Sequence, residues 1–435
     1  MQFRSTLSSE PQIPLIDAVL RCLPSDGGLY VPSQVIDLRQ YFLHMDEKTS
    51  YKELISTLTP VLLQGALGPE AAARVALGAY DFEPQLQHLD DKLSVLRLYV
   101  GPSGTFKDFG VSFLASLLEE LIGDQGQGMI ISAVRGDSGI NLERAFRGRR
   151  GLTSVMLYPS GTILGLDPSY YVSQGGNIIP IQIRGTLDDC QRLVTEIIHD
   201  RPFAERHGIS SANAINPGRL FPQVFYYLYA FTAMRNALLG DLVFSVPSGN
   251  FGNLISGLYA WKFGLPVYGF IAAMNGNNSF GDFIRGGKYQ PQPLLHTLSP
   301  ALDVSIPSNY ERLSSFYQEA PAVMRNMVFP ASVDDQATVK AMEQAWKEYG
   351  LILDPHGAVA FGAAREYLKS PENADSHVVV LATGHPAREA ALVEKVTGQR
   401  VALPEKLQRL KQSSEPLAII DPQLEALEAA IASCI

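Results

Sequence analysis

The sequence predicts an α/β fold built on largely parallel sheets, and three observations carry that expectation. Short, β-branched, nearly continuous apolar runs recur at residues 129–134, 155–158, 178–183, 242–246, 267–273 and 378–382. Strands buried on both faces have this texture, whereas half-exposed strands alternate. Helical patterns separate the runs, and strand–helix alternation implies right-handed crossovers between parallel neighbours. Finally, small-residue turns join three of the predicted strands to the helices that follow. Parallel sheets gather anion and ligand sites at such places, because backbone N–H groups and the helix dipole converge there.

The chain has 435 residues, more than one hydrophobic core usually supports. Its texture changes near residue 94. Before that point lie helix-like stretches at 15–21, 51–63 and 70–79 and the turn Asp26-Gly27-Gly28, with no catalytic constellation. Residues 1–93 are therefore expected to form an accessory domain. After residue 403 the tail is charged and reads as helical. The formal net charge is −9 and no long basic run occurs, which argues against nucleic acid as a partner. No apolar stretch reaches transmembrane length, and the N-terminus lacks the apolar core of a secretory signal. Cys22, Cys190 and Cys434 are odd in number and far apart, so they suggest neither a disulfide framework nor a metal spacing. The eight histidines make no metal spacing either. A cytoplasmic protein acting on a small molecule, as a monomer or homodimer and without a membrane, is the expectation.

The stretch with most chemistry is Gly101-Pro102-Ser103-Gly104-Thr105-Phe106-Lys107-Asp108-Phe109-Gly110, between a strand-like run at 95–100 and an apolar helix. A lysine held in such a turn and partly desolvated becomes a usable nucleophile, able to join an aldehyde cofactor. The plainer reading is a surface Lys107–Asp108 pair at a helix start. Three strand-to-helix turns accompany it. Ser248-Gly249-Asn250-Phe251-Gly252-Asn253 has two glycines for close approach to a phosphate and Asn donors, yet it is neither a P-loop nor a dinucleotide fingerprint. Arg135-Gly136-Asp137-Ser138-Gly139 could hold a carboxylate, or Asp137 or Ser138 could simply cap a helix. Thr383-Gly384-His385-Pro386 could face a ligand, or Thr383 could be a cap. His356, in Asp354-Pro355-His356-Gly357, and Arg219, after Asn216-Pro217-Gly218, each stand alone; a structural histidine and a solvated arginine are the defaults. Ser248 is not in a hydrolase nucleophile elbow.

Taken in order, these motifs resemble the threonine synthase family, pyridoxal-phosphate enzymes of fold type II. The resemblance runs nearly end to end. It rests on Asp26-Gly27-Gly28-Leu29-Tyr30-Val31-Pro32, the Lys107 segment, the turn at 247–253, Thr297-Leu298-Ser299 with Asp303 and Arg312, Asp354-Pro355-His356, and Thr383-Gly384-His385-Pro386-Ala387. The resemblance implies two open, mostly parallel αβα-sandwich domains beside the accessory domain. Residues 94–240 would carry the Schiff-base lysine and the small substrate-binding domain, and residues 241–435 the large phosphate-binding domain. It implies that Lys107 bonds pyridoxal 5'-phosphate and moves protons. Gly249, Asn250, Phe251, Gly252 and Asn253 would hold the cofactor phosphate, Thr383 the pyridine nitrogen, and Asp137 would sit near the ring hydroxyl. Ser103, Arg135, Gly136, Ser138, Asn216 and Arg219 would face an amino-acid substrate. The implied reaction is γ-elimination of phosphate from O-phosphohomoserine followed by addition of water at Cβ.

The chain departs from the family pattern in the segments that face substrate. Val134-Arg135 stands where a threonine–serine pair is usual. Residues 161–167 lack the usual lysine, serine and glutamine. Asn213-Ala214 replaces Asn-Ser, and Asn277-Asn278-Ser279-Phe280-Gly281-Asp282 replaces Asn-Asp-Thr-Val-Pro-Arg. The cofactor-facing segments are kept, and random decay would strike both alike. The expectation is a lyase or synthase on a γ-substituted phospho- or phosphono-amino acid, with the substrate altered from the standard one. The alternatives are a cofactor-binding regulatory or substrate-binding paralogue without turnover, and a phosphate-ester hydrolase using Asp137 or His385.

Overall fold

The computed structural model describes residues 1–123, 126–134, 137–160, 175–285, 288–408 and 415–433. Arg135, Gly136, the departing segment 161–167, the side chain of Asp137 and Cys434 lie outside what is described. The chain opens with a small antiparallel sheet of β1 (Gln2–Ser5), β2 (Ile13–Pro14) and β3 (Tyr30–Pro32), in the order β2-β1-β3. The helices Leu15–Arg21, Tyr51–Leu62 and Pro69–Ala79 accompany it, as their periodicity predicted. Ser50 and Glu53 start the second of them with reciprocal capping bonds.

Two larger sheets follow. Their strands are β4 (Gln85–His88), β5 (Leu93–Arg97), β6 (Gly128–Ala133), β7 (Leu152–Pro159), β8 (Ile178–Ile183), β9 (Ile209–Ser210), β10 (Asp241–Pro247), β11 (Gly269–Met274), β12 (Val328–Ser332), β13 (Ser376–Ala382) and β14 (Ala418–Ile420). One sheet has six strands in the order β12-β11-β10-β13-β5-β4, all parallel except the β4–β5 edge. The other has five parallel strands in the order β14-β8-β7-β6-β9.

The apolar runs have a direct physical cause. In the six-stranded sheet Leu96, Phe244, Val246, Phe270, Val379 and Leu381 enter one core, while their neighbours Val95, Val243, Ile271, Val378 and Val380 enter another. Successive residues of a strand point to opposite faces, so a sheet covered by helices on both sides needs apolar residues at every position. The five-stranded sheet divides in the same way, with Ile130 and Met156 on one side and Ile131, Val155 and Leu157 on the other.

Sheet membership corrects two expectations. The boundaries at 93/94 and 240/241 do not separate the sheets: β4 and β5 belong with β10, β11 and β13, and β14 joins β8. Pairing follows hydrogen-bond register rather than chain order. The tail is not purely helical either, because residues 418–420 pair with 181–183.

Both sheets contain a point where strand order reverses. From β10 the chain builds outward through β11 and β12, then returns to place β13 on the other side of β10. From β6 it builds through β7 and β8, then places β9 on the other side of β6. Diverging connections leave a crevice beyond the carboxyl ends of the strands at each reversal, and ligands bind open α/β sheets there.

Candidate active site

The crevice of the six-stranded sheet receives the turns that follow β10, β13 and β5, three adjacent parallel strands. Strands lie about 4.8 Å apart, so the three carboxyl ends span about 10 Å. The turn after β5 carries Lys107, the half-buried first residue of the helix Lys107–Ile122. This turn is bonded directly to the one after β13. Phe106 N–H donates to the Thr383 carbonyl (3.0 Å), and His385 N–H donates to the Gly104 carbonyl (2.8 Å). The Lys107 and Thr383 segments, 276 residues apart, thus form one structural unit.

Asp108 is not the surface partner of the plainer reading. It is 1% exposed. Ser103 N–H (2.9 Å) and Asn141 Nδ2 (2.5 Å) donate to its carboxylate. Burial pushes its pKa up to about 6, against the lowering effect of those hydrogen bonds and of Arg144. Asp108 thereby ties the lysine helix to the helix Asp137–Phe146, which begins at the second predicted turn. The Ser103 hydroxyl bonds Thr105 Oγ1 at 2.9 Å. Thr383 does not cap a helix. His385 does, since its Nδ1 accepts from Ala387 N–H at 3.1 Å. The Thr383 hydroxyl has no hydrogen-bond partner among the described residues, and the residue is 7% exposed.

The turn after β10 is shaped by one strained residue and one close approach. Phe251 holds φ +59°, a left-handed conformation that a bulky side chain adopts at a cost of about 1–2 kcal/mol. Its ring packs 4.5 Å from that of Phe280. Gly249 is required by proximity, because an added Cβ would lie 2.9 Å from Leu302 Cα. Asn250 Oδ1 accepts from Ser308 N–H (3.0 Å). Asn253 Oδ1 accepts from Tyr226 and Tyr227 hydroxyls, both at 2.7 Å, while its Nδ2 is buried without a partner among the described residues. Gly252 and Asn253 open the helix Gly252–Lys262, so its free N–H groups line the same turn.

The helices that follow β6 and β9 in the five-stranded sheet both pack against the lysine helix. Asn213 joins the turns after β6 and β9, donating to the Ala133 carbonyl and accepting from its N–H, both at 2.9 Å. Ser138 lies in the first turn of the helix after β6 and is half-buried. Arg219 is buried, not solvated. Its Nη1 donates to the Ala212 carbonyl (2.7 Å), and its Cγ and carbonyl pack against Gly110 of the lysine helix. Burial draws its pKa down to about 10, opposed by Asp108. Among the described residues no carboxylate lies within ion-pair distance of it. Asn216 corrects an expectation. It is fully buried, its Nδ2 donates to the Val19 and Ser211 carbonyls and its Oδ1 accepts from Gly218 N–H. Its amide is committed to shaping the turn that presents Arg219.

Sequence reasoning gave Asp108 only a surface role, met Asn213 only as part of a departure from the family pattern, and passed over Asn141. A signal for Asp108 existed: residues 109–118 are apolar or small without a polar face, so the helix they form must be buried all round. A polar cleft lined by Asn278, Ser279, Arg285, Lys288 and Ser332 opens beside β11 and β12, farther along the edge from the lysine.

Comparison with known proteins bears directly on this arrangement. Residues 82–384 match the family described as pyridoxal-phosphate dependent enzyme; residues 2–70 match the threonine synthase N terminus and 357–431 the threonine synthase C-terminal region. The threonine synthase of Serratia marcescens is 34% identical over 399 residues, covering 91% of both chains, and that of Escherichia coli is 34% identical over 400. This chain belongs to the threonine synthase family. The crystal structure of the Escherichia coli enzyme superposes with TM-score 0.87 at 31% identity, covering all of both chains. The pyridoxal-phosphate-bound enzyme of Brucella melitensis superposes with TM-score 0.86 at 28% identity, covering 100% of this chain and 99% of that one. The fold is therefore type II, and the family is one of pyridoxal-phosphate-dependent lyases. The residues present suit that cofactor. Lys107, a Thr383 hydroxyl without a hydrogen-bond partner among the described residues, and an amide-rich turn that includes the Asn253 side chain follow three adjacent strands, and these are groups that could meet an aldehyde, a ring nitrogen and a phosphate.

Proposed function

We propose that this chain performs a threonine-synthase-type reaction, γ-elimination then β-addition of water, on an amino acid with an anionic γ-substituent. O-phosphohomoserine is the reference substrate, and the recognition of the γ-group differs from the standard enzyme. The observation that carries the reading is the order β10-β13-β5, which sets the Gly249–Asn253 turn, Thr383 and Lys107 side by side. In this reading Lys107 holds the cofactor's aldehyde carbon and afterwards moves protons between substrate carbons. The Gly249 to Asn253 N–H groups and Asn253 Nδ2 hold the phosphate, and the Thr383 hydroxyl meets the ring nitrogen. Bound pyridoxal phosphate supplies an electron sink for carbanions beside the substrate nitrogen. A hydroxyl does not hold the ring nitrogen protonated as a carboxylate would, so the sink is mild. The family resemblance would assign Asp137 to the ring hydroxyl, and Ser138, Gly136 and Ser103 to the substrate carboxylate.

Arg219 is the group that selects for anionic substrate. A buried guanidinium without a carboxylate partner among the described residues stays charged at neutral pH, and an incoming dianion offsets its desolvation. Arg135 supplies a second fork in place of the small hydroxyl usual there. The altered-substrate reading is supported by the clustering of departures at 134–135, 161–167, 214 and 277–282. The protein is placed in the cytoplasm, as a monomer or homodimer.

The test is release of inorganic phosphate and formation of threonine from O-phosphohomoserine, run beside phosphonate analogues and neutral γ-substituted amino acids. Anionic substrates should turn over, and Arg219→Leu should raise their KM by on the order of 100-fold while leaving cofactor uptake intact. Arg135→Ser should raise KM or lower turnover on the preferred substrate. Equal turnover of neutral and anionic substrates, or no turnover of any, would refute the proposal.

A further inference from the structure

His356 lies outside the three turns, yet its two ring nitrogens reach toward two of them. Its Nδ1 is 2.6 Å from Asp354 Oδ2, and its Nε2 accepts the Ala301 N–H at 3.1 Å. A backbone N–H can only donate, so Nε2 carries a lone pair and the proton sits on Nδ1, donated to Asp354. The histidine is 8% exposed and the aspartate 2%. Each partner backs one of the turns. Asp354 Oδ2 is packed so tightly under Gly384 that a methyl there would collide with it, and Gly384 follows Thr383. Ala301 and Leu302 press against Gly249: an added Cβ would lie 3.2 Å from the Ala301 carbonyl oxygen and 2.9 Å from Leu302 Cα. Asp354 Oδ1 is fixed in turn by the Gly357 N–H (2.8 Å), at the start of the helix Pro355–Tyr367. A continuous chain of contacts therefore runs from the Thr383–Gly384 turn through Asp354, His356 and Ala301–Leu302 to Gly249. Within the sheet, β13 and β10 are adjacent only as far as Ser245 and Val380, so beyond those residues the ladder does not set the separation of the two turns.

We propose that His356 is a positioning residue: by bridging Asp354 to the Ala301 N–H it fixes the spacing between the Thr383–Gly384 turn and the Gly249–Asn253 turn. Resting on the reading of those turns given above, it sets how the ring nitrogen and the phosphate of one cofactor are held at once. Both arms are needed for this, which separates the bridge from an ordinary capping role.

Two variants each keep one arm. In His356→Asn an amide can still donate to Asp354 but cannot reach Ala301. In His356→Gln the side-chain oxygen can still accept from Ala301 N–H but the donor to Asp354 is lost. Both should bind pyridoxal phosphate about tenfold more weakly by absorbance titration, the effect of losing one buried hydrogen bond. Both should also shift the phosphorus resonance of the bound cofactor, although neither touches its phosphate. The cofactor-free protein should melt somewhat lower, because each variant leaves one buried group unpaired. Wild-type affinity and resonance in either variant would overturn the proposal. A fall in cofactor-free stability with affinity and resonance at the wild-type level would assign His356 to folding alone. If the wild-type protein took up no cofactor, the reading of the turns would fail instead.

Discussion

Replacing Arg312 by Met tests how the substrate turn is held. Arg312 is fully buried, and among the described residues no carboxylate lies within ion-pair distance of it. Its guanidinium donates instead to the carbonyls of Tyr30 (3.0 Å), Ala214 (3.1 Å) and Ile215 (2.5 Å) and to Asn309 Oδ1 (2.7 Å). One side chain thus joins the N-terminal sheet, the turn leading to Arg219, and Asn309, whose Nδ2 is 3.6 Å from where a Cβ on Gly252 would sit. Methionine matches the length and removes every donor. Each buried acceptor left without a donor costs about 1–3 kcal/mol, so four exceed about 4 kcal/mol. Removing an unpaired buried cation returns part of that, because its desolvation costs several kcal/mol. The net expected loss is about 3–5 kcal/mol, read as a fall in the urea midpoint of the cofactor-free protein at unchanged slope. KM should rise more than kcat falls, because the loosened segment presents Arg219 and not Lys107. A midpoint within about 1 kcal/mol of wild type would show that the four oxygens find other donors, and the account of this turn would be wrong.

Three further outcomes are expected. Lys107→Ala should abolish the visible absorbance of the cofactor-loaded protein and all turnover, with unfolding of the cofactor-free form unchanged; a persisting band would refute the assignment. The carboxyl of Asp108 has a native pKa near 6, above its value of about 3.9 in an unfolded chain. The native state therefore retains a proton that the unfolded chain releases. That contribution is complete below about pH 4 and is lost as pH rises through 6, by about 3 kcal/mol. Urea midpoints between pH 4 and 7 should fall in wild type relative to Asp108→Asn, and parallel profiles would refute the cause given. Gly384→Ala should drive a methyl into Asp354 and cost about 1–3 kcal/mol of cofactor affinity, measured by absorbance titration; unchanged affinity would show that Asp354 yields freely.

The parts of this fold that were legible in sequence are those whose physics is local. β8 and β13 are apolar at nearly every position because both faces are covered, and a window of six residues contains that information. β12 escaped notice because Pro330 interrupts it; an edge strand tolerates a missing N–H, and β12 is an edge. β14 escaped because three residues in a charged tail carry too little pattern, and only pairing with β8 defines them. At the site, Lys107 and the Gly249–Asn253 turn announced themselves through flanking strands and small residues. The structural bonds of Asn216 were hidden in part because one acceptor, the Val19 carbonyl, is brought to it only by tertiary structure. Arg219 could not be distinguished from a solvated arginine for the same reason: its burial depends on packing against Gly110, more than a hundred residues earlier.

The discontinuity of the two sheets governs when a working site can exist. β5 is synthesised early but finds its partner β13 only after residue 376, and the five-stranded sheet awaits residues 418–420 for its outer edge. During synthesis Phe106 has no Thr383 carbonyl to meet, so the Lys107 turn lacks this bond until residue 383 has left the ribosome. Pairing between such distant segments is slow to form. A chain cut short ahead of β13 therefore carries Lys107 without the Thr383 turn that its own turn is bonded to.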